Sequence, residues 1–191
     1  YNDIMKQLSL NIVNKSNSEI VASSSYDYKI ELIKKIGSDD VDNILNISKD
    51  LSKIYGKRLI ISEDNILKYF NKDTLPFIAR YKNKIIGYII GVPLEYFSQE
   101  SWSHFDTNIN KKNTIYTYAF FMKKKYRKKG GFSKTLKMIY LNWAKKKGFT
   151  YVSGHVSEGI SRKFSKNTDI IKIFPNWYGL NKPYEYYRRM L

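Results

Sequence analysis

The residues best suited to bind an anion lie in one run, Tyr126-Arg127-Lys128-Lys129-Gly130-Gly131-Phe132-Ser133-Lys134. This run joins a predicted strand to a predicted helix. Two successive glycines allow positive φ angles and leave amides exposed, and the helix that begins near Phe132 points its unsatisfied N–H groups at the same place. No Asp or Glu occurs between Asp106 and Glu158, so the first helical turn lacks its usual acidic residues. We therefore predict an anion site built from backbone amides.

Groups that could move a proton are scarce around this run. The strand predicted over Thr114 to Met122 contains no carboxylate. Glu95, which ends the third predicted strand, and His155, on the strand after the helix, are candidate general bases. A lone His in a strand is more often a hydrogen-bonded structural residue. The candidate proton donors are tyrosines, and because the chain has 17 of them, the sequence does not choose among Tyr178, Tyr184 and Tyr187.

Composition excludes several chemistries. The 191 residues include no Cys, which excludes a thiol nucleophile, a Cys-ligated zinc or iron–sulfur site and a disulfide framework, and favours a reducing compartment. The longest apolar run, Ile85 to Leu94, is too short to cross a bilayer. A net charge of +17 favours a polyanionic partner such as nucleic acid. However, the joint excess of Lys, Asn, Ile and Tyr is also typical of a low-GC coding bias.

The pattern of elements predicts a mixed α/β (α+β) domain. Residues 1–26, rich in Asn and Ser, are interpreted as an N-terminal lead-in, and residues 27–191 as the folded domain. Helices are expected after Ser38, after Ser62 and from Phe132. One strand–helix–strand crossover implies one parallel pair in a mostly antiparallel sheet of six to seven strands, flanked by the helices. The strands are expected at 28–36, 75–81, 85–92, 114–122, 151–156, 170–174 and 184–190.

The run from Arg127 to Phe132 resembles the acetyl-coenzyme A signature of the GNAT (Gcn5-related N-acetyltransferase) superfamily, Arg/Gln-x-x-Gly-x-Gly/Ala. The chain departs from this signature at Phe132, which replaces a small residue and is expected to turn into the helix–sheet core. The order of elements over about residues 28–191 also resembles that family. The resemblance implies a single GNAT-like domain whose fourth and fifth strands are parallel and splay apart, with acetyl-CoA in the cleft between them.

The resemblance also implies roles for particular residues. The backbone groups of Phe120 and Met122 would bind the pantetheine amides. Relatives that place a general base on the fourth strand have a carboxylate where this chain has Tyr116, so Tyr116 joins Glu95 and His155 as a catalytic candidate. No metal is implied. The pyrophosphate would be held by the amides of Arg127, Lys128, Lys129, Gly130, Gly131 and Phe132, with Ser133 beside them.

The function implied is acetyl transfer from acetyl-CoA to a small-molecule or peptide amine. We expect direct attack in a ternary complex, because the chain has no Cys to carry the acyl group. The acceptor is expected to be set by the segments 56–62, 95–112 and 175–184. We further expect a cytoplasmic protein without a membrane partner, and the resemblance is compatible with a homodimer.

Three alternatives stay open. One is a catalytically silent GNAT-like domain that binds acyl-CoA or a protein. Another is that residues 127–131 form only a charged surface turn. The third is a nucleic-acid-binding module with interleaved Tyr and Phe for base stacking; its basic residues would be Lys123, Lys124, Lys125, Arg127, Lys128 and Lys129.

Overall fold

One sheet of eight strands forms the centre of the molecule. The structure is a computed structural model that describes residues 12–24, 27–128 and 130–191. The strands lie in the order β1-β2-β3-β4-β5-β6-β8-β7, and every neighbouring pair is antiparallel except β5 and β6. They are β1 (Asn17–Ser24), β2 (Tyr28–Lys35), β3 (Leu75–Tyr81), β4 (Lys84–Pro93), β5 (Thr114–Met122), β6 (Tyr151–Ser157), β7 (Thr168–Phe174) and β8 (Tyr184–Met190).

Helices cover both faces of this sheet. The described residues form α1 (Ser38–Tyr55), α2 (Ile66–Tyr69) and α3 (Phe132–Lys146). The first two pack on one face, in a core that includes Ile78 and Tyr88, and α3 packs on the other, in a core that includes Phe77 and Ile89. Because Phe77 pairs with Ile89 and Ile78 with Tyr88 across β3 and β4, alternation along each strand supplies both cores. None of the helices in the described ranges has the length and apolar character needed to cross a bilayer.

The eighth strand corrects the predicted count of six to seven. Residues 17–24 lie in the stretch that the sequence analysis left without an element, yet they form β1 and pair along β2 with Glu19 opposite Leu32. This strand lies at the edge of the sheet, interrupts its pairing with two bulges and is mostly exposed. An edge strand needs no apolar face, so the alternation that signals a strand is missing. Of the rest of the predicted lead-in, the structure describes residues 12–16, whereas residues 1–11, 25 and 26 lie outside the described residues.

The parallel pair opens as predicted. Pairing between β5 and β6 is limited to Thr114 with Tyr151, Ile115 with Val152 and Tyr116 with Ser153. Beyond these pairs β5 continues to Met122 and β6 to Ser157 as separate strands. The strands therefore face each other across a gap in which their backbone groups can bind an inserted chain.

The long segment between β4 and β5 is held against β8. It contains short 3₁₀ turns over Leu94–Phe97 and Ser101–Phe105 and buries Trp102. Its anchor is Asp106, which is fully buried, accepts a 2.6 Å hydrogen bond from the Tyr186 hydroxyl and forms an ion pair with Arg188. This anchor places Trp102 beside the gap between β5 and β6.

Candidate functional site

A cleft of about 310 Å³ occupies the gap between β5 and β6. Its walls include Leu51 and Tyr55 from α1, and Tyr140 and Leu141 from α3. Since these helices lie on opposite faces of the sheet, the cleft reaches both faces. Phe120, on the open part of β5, is 43% exposed and lines it.

The glycine-rich loop connects β5 to α3. Gly130 and Gly131 have φ angles of 60° and 66°, a left-handed conformation that side chains disfavour. A Cβ at Gly130 would also lie 2.9 Å from the Phe132 ring, whereas a Cβ at Gly131 would meet nothing within 4 Å. Gly131 is the N-cap of α3, so the orphan amides of the first turn, including that of the partly buried Ser133, follow it directly. This geometry is what an amide-built anion site needs.

Phe132 lies where the sequence analysis expected it, between the helix and the sheet. Its ring centroid is 4.4 Å from that of Tyr28 and 5.9 Å from that of Tyr81. The Tyr28 hydroxyl also donates a 3.2 Å hydrogen bond to the Phe132 carbonyl. The bulky residue thus packs the start of α3 onto the sheet rather than filling the space outside the loop.

The remaining residues predicted to hold the cofactor lie in different surroundings. Met122 is buried, and its carbonyl accepts a 2.8 Å hydrogen bond from Nε of Arg127. A carbonyl has two lone pairs, so one can still receive a ligand. Lys128 is exposed, and Lys129 lies outside the described residues.

Two catalytic candidates, Tyr116 and His155, are in direct contact. The Tyr116 hydroxyl lies 2.8 Å from His155 Nδ1 and 3.1 Å from Nη2 of Arg58. A guanidinium can only donate, so the hydroxyl accepts from Arg58. A hydroxyl can accept a second hydrogen bond, so its contact with Nδ1 fits either neutral tautomer of His155. The other ring nitrogen, Nε2, is buried without a partner among the described residues.

The surroundings of His155 keep it neutral. Burial lowers its pKa well below the usual value of 6.5, and the positive charge of Arg58 lowers it further. The ring stacks on Trp177 with centroids 3.8 Å apart and meets the edge of Trp102 at 4.6 Å. The imidazole is thus held in one orientation, with Nδ1 directed to Tyr116.

Glu95 is not part of this arrangement. One of its carboxylate oxygens accepts a 2.9 Å hydrogen bond from the amide of Lys112, which has a φ of 54°, and the other is buried without a partner among the described residues. The residues of the described chain that line the cleft do not include Glu95. Its carboxylate instead binds the turn that leads into β5.

The three candidate proton donors lie in different places relative to the cleft. Tyr184 and Tyr187 line the cleft, while Tyr178 lies over Arg58. Tyr187 is 5% exposed, and burial raises its pKa to about 12. Its hydroxyl consequently retains its proton at neutral pH and can donate it.

Sequence analysis missed the most unusual group in the cleft, Arg58. Its guanidinium lies 4.6–5.9 Å from the centres of five aromatic rings, Phe97, Trp102, Tyr116, Trp177 and Tyr178. The Tyr118 hydroxyl donates a 2.9 Å hydrogen bond to its carbonyl. The three segments expected to set the acceptor converge here, but the pair Lys57-Arg58 after a helix looks like any exposed basic turn.

The cleft carries positive charge only. Among the described residues that line it, the charged ones are Arg58, Lys137 and Arg189. Burial lowers the pKa of Lys137 to about 8, with a contribution from the charge of Arg189. The described chain contains no group of three or more His, Asp or Glu residues arranged to hold a metal ion.

Comparison with known proteins yields one family. A model of the acetyltransferase (GNAT) family matches residues 44–163, more than half of the chain. The match begins in α1 and ends after β6, so it includes the glycine-rich loop and both strands of the cleft. A search of curated protein sequences found no match.

Solved structures share the fold at low sequence identity. A GCN5-related N-acetyltransferase from Kribbella flavida has a TM-score of 0.63 at 13% identity, covering 88% of this chain and 100% of that one. Arabidopsis thaliana NAA60, solved with a bisubstrate analogue, has a TM-score of 0.60 at 13% identity, covering 86% and 99%. A GNAT acetyltransferase from Elizabethkingia anophelis, solved with acetyl-CoA bound, has a TM-score of 0.55 at 14% identity, covering 87% and 100%.

Proposed function

The chain belongs to the acetyltransferase (GNAT) family, and from its cleft we propose that it transfers an acetyl group from acetyl-CoA to an amine. The observation that carries this proposal is the opening of β5 from β6 after three paired residues. It leaves a cleft of about 310 Å³, and β5, which forms one wall of this cleft, continues into the loop that begins α3. Solved relatives include one with acetyl-CoA bound and one with a bisubstrate analogue, which supports the same assignment.

We place the cofactor along the open half of β5. The backbone groups of Phe120 and the free lone pair of the Met122 carbonyl would bind the pantetheine amides. The loop amides from Arg127 to Phe132, with Ser133 beside them, would bind the pyrophosphate. Helix N-termini bind phosphate through such amides and the helix dipole.

The Tyr116–His155 pair is our candidate for accepting the proton of the amine. Acetyl-CoA supplies a thioester whose C–S bond breaks as the amine nitrogen forms the new C–N bond. The relay uses the tautomer of His155 with its proton on Nε2, in which Tyr116 Oη accepts from Arg58 and donates to Nδ1. In that tautomer Oη can accept one further hydrogen bond, from the amine. A proton that reaches Tyr116 Oη can then pass through the existing hydrogen bond to His155 Nδ1. Neutral His155 has this site available as a base.

Tyr187 is the matching candidate for the proton donor to the leaving thiolate. It lines the cleft from β8 and keeps its proton at neutral pH, because burial raises its pKa to about 12. The two protons balance, since solvent can reprotonate Tyr187 and remove the proton from His155 after release of products. Tyr187→Phe should lower kcat and leave acetyl-CoA affinity unchanged, with the other cleft tyrosine of β8, Tyr184→Phe, as the comparison.

Thermal unfolding and turnover together test the proposal. CoA at about 100 times its dissociation constant should stabilise the fold by about 2.7 kcal/mol, and a panel of amines should include acceptors that release free CoA from acetyl-CoA. Stabilisation by CoA without turnover of any amine would favour a catalytically silent acyl-CoA-binding domain. A shift with single-stranded oligonucleotide and none with millimolar CoA would contradict the proposal in favour of nucleic-acid binding.

A further inference from the structure

Arg58 lacks the carboxylate that the fold gives to comparable arginines outside the cleft. Arg80 pairs with Asp40 and Glu31, and Arg188 pairs with Asp106. Like them, Arg58 is partly buried, yet it forms no ion pair with any described residue. Since a buried charge normally requires a partner, the missing partner points to a ligand.

The hydrogen bonds of Arg58 are also incomplete. A guanidinium has five N–H donors in a planar fork. One of them, on Nη2, donates to Tyr116, and the Tyr178 hydroxyl interacts with another, so most of the fork stays unused. Aromatic rings stabilise the positive charge but offer no lone pair to N–H groups in the plane of the fork. Two parallel hydrogen bonds from such a fork match the oxygens of a carboxylate.

The charge of the cleft selects against a polycationic acceptor. Its charged lining residues in the described chain are Arg58, Lys137 and Arg189, so a second positive group on the acceptor would be repelled. An acceptor that brings a negative charge would instead be attracted and would supply the missing partner.

Resting on the proposed transferase function, we propose that the acceptor is a small amine bearing a carboxylate, of the amino-acid class, and that Arg58 binds this carboxylate. The spacing favours a compact molecule. Nη2 of Arg58 lies 3.1 Å from Tyr116 Oη, the atom assigned to the acceptor nitrogen, so the carboxylate and the amine must be only a few bonds apart. Trp177 and Tyr178 beside Arg58 suit an apolar or aromatic side chain.

Tryptophan fluorescence gives a direct binding signal that does not require turnover. The rings of Trp102 and Trp177 have their centres 5.2 and 4.6 Å from Cζ of Arg58. Phenylalanine and phenethylamine form one matched pair and leucine and isoamylamine another, since the members differ only in the carboxylate. Each would be titrated with and without CoA. The proposal expects the carboxylate member of a pair to bind at least tenfold more tightly.

Variants of the two cleft arginines, Arg58 and Arg189, show which of them binds the carboxylate. Arg58→Gln should abolish the difference in affinity between the two members of each pair, and Arg58→Lys should keep part of that difference. Arg189→Gln, which changes the other arginine of the cleft, should keep the full difference. The proposal would be overturned if both members of a pair bound equally well, or if neither bound at millimolar concentration. It would also be overturned if the difference in affinity were lost in Arg189→Gln but kept in Arg58→Gln. The comparison within the wild-type protein decides the question even where a variant fails to fold.

CoA release from the same pairs separates this inference from the proposed function. Equal rates with and without the carboxylate would overturn the role of Arg58 and leave the transferase function standing. Carboxylate-dependent binding without CoA release from any acceptor would contradict the transferase function while supporting an anion site at Arg58.

Discussion

Tyr116 Oη lies 2.8 Å from Nδ1 of His155, and this contact joins β5 to β6 just beyond the point where their backbones stop pairing. Tyr116 belongs to the last backbone pair, with Ser153, and His155 follows two residues later. The two side chains thus connect the strands at the base of the cleft. We interpret the pair as the route by which a proton leaves the attacking amine.

Removing either side chain of this pair should slow the reaction. Tyr116→Phe and His155→Asn are expected to lower kcat by about 10²–10⁴-fold, the usual contribution of a general base, with acetyl-CoA affinity unchanged. Steady-state rates with an identified acceptor provide the measurement.

The other histidine of the chain is the matched control. His104 is exposed and bonds the Ser98 carbonyl at 2.7 Å, so His104→Asn should keep full activity. A loss below about threefold in both Tyr116→Phe and His155→Asn would show that neither residue moves the proton.

His155 should also make stability depend on pH. Burial and then the charge of Arg58 lower its pKa well below 6.5 in the folded chain, whereas the unfolded chain binds a proton near 6.5. Above 6.5 both states are neutral and the contribution is constant. Below pH 6.5 the imidazole binds a proton in the unfolded state but not in the folded state. As the pH decreases from 6.5, the free energy of unfolding should therefore fall by up to about 1.4 kcal/mol per pH unit.

Denaturant unfolding between about pH 7.5 and about pH 5 would measure this slope. The other titrating groups are common to the wild type and His155→Asn, so the difference between the two curves isolates the imidazole. Parallel curves for wild type and His155→Asn would contradict a neutral buried imidazole.

The glycine-rich loop should tolerate substitutions unequally. Gly130 and Gly131 both have positive φ, but only at Gly130 would a Cβ clash with Phe132. Gly131→Ala should cost about 1–2 kcal/mol of stability from the left-handed conformation, and Gly130→Ala more. Gly131→Asn should cost less, since Asn adopts this conformation more readily.

CoA affinity separates the amides from the lysines of this loop. If backbone amides bind the pyrophosphate, Gly131→Val should abolish CoA binding and Lys128→Ala should weaken it only modestly. Calorimetry on variants shown to be folded provides the affinities. The reverse order would assign the binding to side-chain charge.

The buried carboxylate of Asp106, which anchors the segment between β4 and β5 to β8, should contribute strongly to the stability of the fold. Asp106→Asn leaves the charge of Arg188 buried without its partner, and breaking such a pair typically costs about 3–5 kcal/mol. Chemical denaturation measures the loss. Asp50→Asn removes a carboxylate that is 72% exposed in its pair with Lys53 and should change stability by less than about 0.5 kcal/mol. Similar losses in both variants would contradict the anchoring role.

The sequence predicted the features that depend on local chemistry. Consecutive glycines before an amphipathic helix indicated the loop that begins at Arg127, and one crossover indicated the parallel pair. Tyr116 and His155 were also predicted as catalytic candidates, each for its own reason. Their contact depends on how far β5 and β6 separate, and no spacing in the sequence encodes that distance.

Features that depend on distant contacts were missed. Trp102 packs against His155 and Arg58 because Asp106, four residues later, is held by Tyr186 and Arg188 of β8. Arg58 becomes partly buried because segments far along the chain, including Trp177, close over it. The contact of Glu95 with the amide of Lys112 was not predicted either, since that amide lies in a turn without a recognisable signal. Strand β1 was not predicted because an edge strand does not need an apolar face, so its sequence lacks the usual alternation of apolar and polar residues.

Calorimetric titration of acetyl-CoA into the wild type and into Gly154→Leu would show whether the cleft between β5 and β6 binds acetyl-CoA. Gly154 lines the cleft on β6, and a Cβ there would already lie 3.3 Å from the Tyr187 ring, so a leucine would fill the gap between the strands. With both proteins shown to be folded, the account predicts one acetyl-CoA bound per wild-type chain and at least tenfold weaker binding in Gly154→Leu. Equal affinity in the two proteins, or no binding by the wild type at millimolar acetyl-CoA, would contradict it.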